Sequence, residues 1–102
     1  MSITVKQNSP EQEAVFDLLK AVAHPVRYAI LKLLNQKEAI CVCDLQHKLE
    51  IEQAVISQQL KRLKSAGVVT ATRKGRYCHY KLTNGNVKNL LFAVQNFKYY
   101  DE

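Results

Sequence analysis

Apolar residues recur every three or four positions along the first part of the chain, which is the spacing of one face of an α-helix. The stretch "SPEQEAVFDLLKAVA" begins with Ser9 as a candidate N-cap and Pro10 at the first helical position. His24-Pro25 ends this helix and begins the next, "PVRYAILKLLNQ". Two helices are therefore predicted before the first cysteine.

Two further helices follow, joined by the tight turn "EIEQ". The first, "VCDLQHKL", is short and has Leu45 and Leu49 on its inner side. The second, "QAVISQQLKRLKSAG", ends at Gly67, a residue suited to a C-terminal cap. Two helices connected in this way form a helix-turn-helix.

The apolar period changes to two after the fourth helix. "VVTATR" and "YCHYKLT" are rich in Val, Thr and Tyr, and they predict a hairpin with "KG" at its tip. Cys78 is expected on the inner face of the second strand with Tyr80 and Leu82, whereas His79 lies on the opposite face with Tyr77 and Lys81. A closing helix is predicted from about residue 86 to residue 99.

This order of elements predicts a mainly α fold with a small β-hairpin, a winged helix-turn-helix. A single domain is expected over residues 10–99, with flexible tails at 1–9 and 100–102. The polar N-terminus and the lack of a long apolar run predict neither a signal peptide nor a membrane span, so we expect a cytoplasmic protein. Three cysteines in that compartment argue against a disulfide scaffold.

The net charge of +6 comes from the second half of the chain. Residues 1–52 carry six basic and seven acidic residues, whereas residues 53–102 carry nine basic and two acidic ones. Such one-sided charge favours a polyanionic partner, with nucleic acid the first choice. A solvated basic surface is the alternative.

The outward side of the fourth helix carries no acidic residue. The residues predicted to contact DNA there are Gln53, Ala54, Ser57, Gln58, Lys61 and Arg62. Glutamine pairs with adenine, serine donates or accepts, and Ala54 allows close approach. At the hairpin tip Arg73, Lys74 and Arg76 are predicted to reach phosphates or the minor groove. Any amphipathic helix has a polar face, but that alternative explains neither the missing acids nor the basic hairpin.

Three stretches in order carry a family resemblance. "LLKAVAHPVRYAILKLL", "EQAVISQQLKRLKSAGVV" and "RKGRYCHYKL" resemble the second-helix start, the recognition helix and the wing of the ArsR/SmtB family of bacterial metal- and thiol-sensing repressors. The resemblance covers roughly residues 11–99. Two departures bear on the operator sequence: Gln59 stands where many members have His, and Ala54 stands where Ser is frequent.

The resemblance implies a homodimer, built on the first and last helices, that binds an imperfect inverted repeat in double-stranded DNA. The closing helix supports this with a wide apolar stripe formed by Val87, Leu90, Leu91, Val94 and Phe97. A chain this small is not expected to cover that stripe and the one on the opening helix by itself. The alternative is that both stripes fold back on the monomer core.

The stretch "EAICVCDLQHKL" places two thiols at the start of the third helix. It resembles the Cys-Val-Cys-Asp-Leu of the arsenic-sensing branch, in which a third cysteine usually follows directly; here that position is Gln46. Thiolates bind soft ions, and a helix N-terminus is expected to lower a thiol's pKa. Cys41 and Cys43 flank Val42, so we expect both thiols to face partly outward.

The expected effector is trivalent arsenic or antimony bound to this thiol pair, and no cofactor is required. Bridging the pair distorts the first helical turn and shifts the recognition helix through Leu45 and Leu49. A persulfide, an oxidant, zinc or cadmium, and no sensory role at all, stay open. His47 and Cys78 are candidates for a third donor, although His47 is more often a solvated residue and Cys78 a buried one.

Other classes of function find less support. The chain has no Gly-rich phosphate loop, no nucleophile elbow and no convincing acid–base pair, so an enzyme is not expected. A winged helix that binds protein is a remote alternative. DNA binding differs from it by a steep dependence on salt.

Overall fold

The computed structural model describes residues 9–37, 39–83 and 85–97. The helices and strands follow in this order: α1 Pro10–Val22, α2 Pro25–Gln36, β1 Ile40–Cys41, α3 Val42–Leu49, α4 Gln53–Ser65, β2 Val69–Lys74, β3 Tyr77–Leu82 and α5 Gly85–Gln95. The fold is a winged helix-turn-helix, as predicted, with β2 and β3 as the wing. None of the helices within the described residues has the length and apolar composition needed to cross a bilayer.

The helix starts follow the local sequence. The Ser9 side chain accepts from the Gln12 amide, and the Gln12 side chain accepts from the Ser9 amide, so a capping box begins α1. His24 caps α2, because its Nδ1 accepts from the Val26 amide at 3.2 Å. The His24-Pro25 pair, which was predicted to begin the second helix, therefore does so through a specific hydrogen bond.

Three of the described turn residues have a positive φ: Glu50, Gly67 and Gly75. Glu50 ends α3 with a φ of 54°, a conformation that is uncommon outside glycine and that reverses the chain toward α4. Ala66 is the C-cap of α4, and Gly67 follows it with a φ of 75°. The glycine predicted as the cap is therefore the residue after the cap.

Strand β1 is the element that the sequence pattern did not predict. It has two residues and pairs antiparallel with β3, so the sheet has three strands in the order β1-β3-β2. Ile40 lies opposite Tyr80, and Cys41 lies opposite His79. The sheet therefore connects the start of α3 directly to the wing.

The core lies between α2, α3, α4, the inner face of the sheet and α5. Its fully buried side chains come from every one of these elements: Ile30, Leu31, Leu45, Ile56, Leu60, Leu63, Val69 and Leu91. The closing helix ends at Gln95, before the predicted end at residue 99. Residues 98–102 and 1–8 lie outside the described residues, and with them most of the two predicted tails.

Candidate functional site

Helix α4 is anchored by one face and exposes the other. Ile56, Leu60 and Leu63 are fully buried beneath it. All the α4 residues predicted to contact DNA are exposed: Gln53, Ala54, Ser57, Gln58, Lys61 and Arg62. The exposed face is thus neutral at its N-terminal end and cationic further along. Such a face suits contacts with base edges at its N-terminal end and contacts with phosphates further along.

The wing tip adds a second cationic surface. Arg73, Lys74 and Arg76 are exposed, and they flank Gly75, whose φ of 64° allows the tight turn. The Arg73 Nε donates to the Gly75 carbonyl at 3.3 Å, which holds the tip closed. Three basic side chains are thereby presented on the hairpin that follows α4.

Arg27 fixes α4 relative to the first helix. Its guanidinium donates to the carbonyls of Ala21 at 2.6 Å and Lys20 at 3.2 Å, which end α1, and to Gln59 Oε1 at 2.9 Å. Gln59 is therefore engaged inside the protein. The residue that stands where many members have His is thus half-buried and makes an internal contact of α4.

The two thiols of the third-helix start lie together. Cys41 Sγ and Cys43 Sγ are 3.2 Å apart, within hydrogen-bonding range. A carboxylate oxygen of Asp44 joins them, and the three donor atoms lie within 4.8 Å of one another. Two soft donors and one hard donor thus form a compact set, which suits a thiophilic or borderline metal ion.

The two thiols differ in exposure, contrary to the expectation that both face partly outward. Cys43 is exposed, but Cys41 is buried, with 8% of its surface accessible. The reason is β1, which draws Cys41 into the sheet opposite His79. A ligand that arrives from solvent therefore reaches the exposed thiol of Cys43 before the buried thiol of Cys41.

The environment of Cys41 also opposes the expected fall in thiol pKa. Burial raises the pKa of the Cys41 thiol above its ordinary value, and the hydrogen bond to Cys43 raises it further. The Asp44 backbone amide at the helix start acts the other way and is outweighed. The raised pKa favours the protonated form of Cys41, and a metal ion that binds the thiolate displaces that proton.

The other two predicted donors lie outside this set of three. His47 is exposed and borders, with Cys43 and Glu52, a surface cavity of about 580 Å³ at the start of α4. Cys78 lies opposite Arg73 in the wing and is half-buried. Burial raises the pKa of the Tyr80 hydroxyl, and a hydrogen bond with Cys78 adds to the rise.

Sequence reasoning missed two residues of this region. Asp44 belongs to the Cys-Val-Cys-Asp-Leu motif. A carboxylate directly after two thiols could have identified it as a third candidate donor. His79 lies beside Cys41 only because of β1, and two residues are too few to produce a detectable alternation.

An apolar surface lies apart from the basic one. The exposed apolar residues of α1 are Val15, Phe16 and Leu19, and those at the C-terminal end of the described chain are Phe92, Val94 and Phe97. Leu19 and Val94 border the same apolar cavity of about 460 Å³. Val87 and Leu91 of the predicted α5 stripe are buried in the monomer core, whereas Val94 and Phe97 are exposed, so the apolar stripes of α1 and α5 are only partly covered within the monomer.

Fold and site together define a winged helix-turn-helix protein with a thiol pair in front of its helix-turn-helix. The profile of the family described as bacterial regulatory protein, arsR family, matches residues 24–71. A regulator of Methanocaldococcus jannaschii, named as an uncharacterized HTH-type transcriptional regulator, is 35% identical over 82 residues, which are 80% of this chain and 92% of the relative. The chain belongs to the arsR family.

Two further proteins are similar to this chain. The HTH-type transcriptional repressor SmtB of Mycobacterium tuberculosis is 40% identical over 79 residues, which cover 78% of this chain and 58% of the repressor. The chain thus spans little more than half of that relative. A Mycobacterium bovis structure, described as a homodimeric winged helix-turn-helix DNA-binding domain of a possible ArsR-family regulator, superposes with a TM-score of 0.78 at 28% identity, covering 90% of this chain and 87% of the other.

Proposed function

We propose that this protein is a DNA-binding transcriptional repressor that leaves its operator when a thiophilic ligand, arsenite or antimonite first, binds Cys41 and Cys43. The observation that carries the proposal is the 3.2 Å separation of their sulfurs directly before the helix-turn-helix. The similarity to named transcriptional regulators supports a regulatory role and gives no support to an enzyme.

The DNA would lie across α4 and the wing. Gln53, Ser57 and Gln58 meet base edges, with Ala54 allowing close approach. The residues that contact the DNA backbone are Lys61 and Arg62 of α4 and Arg73, Lys74 and Arg76 of the wing. Their exposure and the absence of acids from α4 support this assignment. Two such surfaces, related by a two-fold axis, would read an imperfect inverted repeat.

The two-fold axis would pass through the apolar surface of α1 and α5. We assign that surface to a second copy of the chain because it is apolar and exposed, and because none of its residues belongs to the predicted DNA contacts. The Mycobacterium bovis domain described as homodimeric supports the same assembly. Dimerisation also sets the spacing between the two α4 helices, on which operator binding depends.

Ligand binding acts on α4 through the first turn of α3. Two sulfurs on one tetrahedral zinc ion lie about 3.8 Å apart, given bonds of about 2.3 Å, so the pair must open slightly to hold that ion. Cys41 belongs to β1, and Leu45 of α3 is fully buried in the core shared with α4. A displaced first turn therefore moves the base of α4 relative to the groove.

A second ligand class has one observation in its favour. Asp44 adds a hard oxygen to the two sulfurs, and that mixture suits zinc or cadmium as well as a trivalent ion. The effector experiment therefore includes both classes.

The test is fluorescence anisotropy of the reduced protein on labelled DNA from upstream of its own gene. Arsenite, zinc and cadmium are titrated separately into the preformed complex. We expect arsenite to weaken operator binding by about tenfold or more, the range of ordinary allosteric coupling. The variant C41S/C43S should bind DNA and ignore arsenite.

The matched control is Cys78→Ser, which removes a thiol that lies outside the donor set. It should respond to arsenite like the wild type. If arsenite releases the double variant too, Cys41 and Cys43 are not the sensor. If wild type binds DNA and none of the three ions releases it, the proposed effector class is wrong, and polysulfide is the next ligand to titrate.

A further inference from the structure

His79 occupies the middle strand of the sheet, directly beside the thiol pair. It lies opposite Cys41 of β1 on one side and opposite Thr72 of β2 on the other. Directly opposed residues of antiparallel strands project from the same face, with Cβ atoms about 4.5–5.5 Å apart. His79 and Cys41 therefore share one face of the sheet, at the point where the chain passes from β1 into α3.

The His79 ring has a nitrogen without a partner. Its Nδ1 is the single buried side-chain nitrogen or oxygen atom that lacks a hydrogen bond among the described residues. Buried polar atoms are nearly always paired, and an exception calls for an explanation such as an ion. The ring borders a cavity of about 510 Å³ on this face, lined also by Ala39, Thr72, Lys74 and Lys81. The ring therefore borders open space on this face, in a cavity that Cys41, Cys43 and Asp44 do not line.

The adjacent donor set provides one ligand fewer than a four-coordinate site for a divalent ion requires. Cys41, Cys43 and Asp44 provide three donor atoms, whereas structural zinc is almost always four-coordinate and accepts imidazole nitrogen at about 2.0–2.1 Å. The set of three, with atoms within 4.8 Å of one another, does not include His79. A rotation of the His79 side chain toward its cross-strand neighbour Cys41 is needed to complete it.

We propose that His79 supplies the fourth ligand, through Nδ1, to a divalent ion such as zinc, cadmium or cobalt bound by Cys41, Cys43 and Asp44. The inference rests on the thiol site proposed above and deepens it. The ion then links the wing strand β3 to the start of α3, so its binding acts on the wing directly and on α4 through the core that α3 and α4 share. A nitrogen donor also favours the binding of divalent ions, which use four ligands, over the binding of trivalent arsenic, which bonds up to three sulfurs.

Cobalt(II) titration of the reduced apoprotein tests the assignment, because the visible absorption of cobalt reports coordination number and donor type. Wild type, His79→Gln and His47→Gln are compared. His47 is the matched control, since it is an exposed histidine near Cys43. We expect a tetrahedral cobalt spectrum for wild type and His47→Gln. In His79→Gln the affinity should fall by about tenfold or more, with an altered spectrum.

Cadmium-113 NMR of the wild type supplies a readout that a merely structural role would not give. A scalar coupling between the metal and the His79 ring protons demonstrates the bond, whether or not the variant folds. Circular dichroism and thermal unfolding of His79→Gln establish that it is folded.

The outcomes separate this inference from the function on which it rests. Unchanged cobalt binding in His79→Gln, or metal coupling to His47 in place of His79, overturns the His79 assignment and leaves the thiol site standing. If C41S/C43S binds cobalt as wild type does, the thiol site itself is wrong. Loss of affinity in His79→Gln together with metal coupling to its ring protons supports the proposal.

Discussion

Arg27 has the largest set of hydrogen bonds among the described side chains, and it links three segments. Its guanidinium satisfies two carbonyls at the end of α1 and one side-chain oxygen on α4. Carbonyls in the last turn of a helix have no partner within that helix, so this cation replaces the missing donors. The same contacts hold α4 against the rest of the domain.

Replacing Arg27 with alanine should lower the free energy of unfolding by about 2 kcal/mol, since half-buried hydrogen bonds from a charged group are lost. Urea unfolding followed by circular dichroism measures the change. Arg73→Ala is the control, because Arg73 has one exposed local bond and should alter stability by less than about 0.5 kcal/mol. Equal losses in the two variants would show that Arg27 has no special role.

At the level of elements, the helices were predictable and the short strand was not. The predicted bounds of α2 and α3 agree with the structure. Pro25 and the apolar period indicated those of α2, and the spacing of Leu45 and Leu49 before a tight turn indicated those of α3. Strand β1 has two residues, so its position depends on pairing with β3 and not on any local pattern. The wrong expectation for the exposure of Cys41 follows from that strand, and the burial of Cys41 is the first cause of its raised pKa.

The proposed DNA contacts of α4 and the wing are of two kinds, contacts with bases and contacts with phosphates. The dependence of DNA affinity on salt concentration distinguishes one kind from the other. Each phosphate contact contributes about 0.9 to the slope of log affinity against log salt. Lys61→Ala should therefore reduce that slope by about 1 and weaken binding to all sequences alike. Gln53→Ala should instead leave the slope unchanged and reduce discrimination between operator and non-operator DNA.

Anisotropy titrations at several salt concentrations, on operator and scrambled duplexes, provide both quantities. Lys32→Ala is the control for charge, because Lys32 lies on α2 with its ammonium 5.6 Å from the centre of the Tyr28 ring. Its slope should match that of wild type. If Lys32→Ala lowers the slope as much as Lys61→Ala does, the effect is one of net charge, and Lys61 does not contact the DNA.

At the scale of the whole molecule, the chain divides its surface into a basic side and an apolar side. The basic side is formed by α4 and the wing, and the apolar side by α1 and α5. Phe92 and Phe97 expose 66% and 78% of their surface, an unfavourable arrangement for an isolated monomer. The thiol pair lies at the start of α3, outside the residues proposed to contact DNA, so we expect a ligand there to weaken DNA binding through movement of α3 and α4.

A charge on the apolar side should therefore separate the subunits. Leu19→Glu and Phe92→Glu each place a carboxylate where we propose that the second copy packs, and an unpaired buried charge is strongly unfavourable. Analytical ultracentrifugation should find a dimer for the wild type and a monomer for either variant at the same concentration. Because a monomer presents one α4 and not two, operator affinity should fall with it.

Tyr77→Glu is the control, an equally exposed aromatic on the wing, and it should stay dimeric. A wild-type monomer, or dimers of both Leu19→Glu and Phe92→Glu, would assign this apolar surface to another partner.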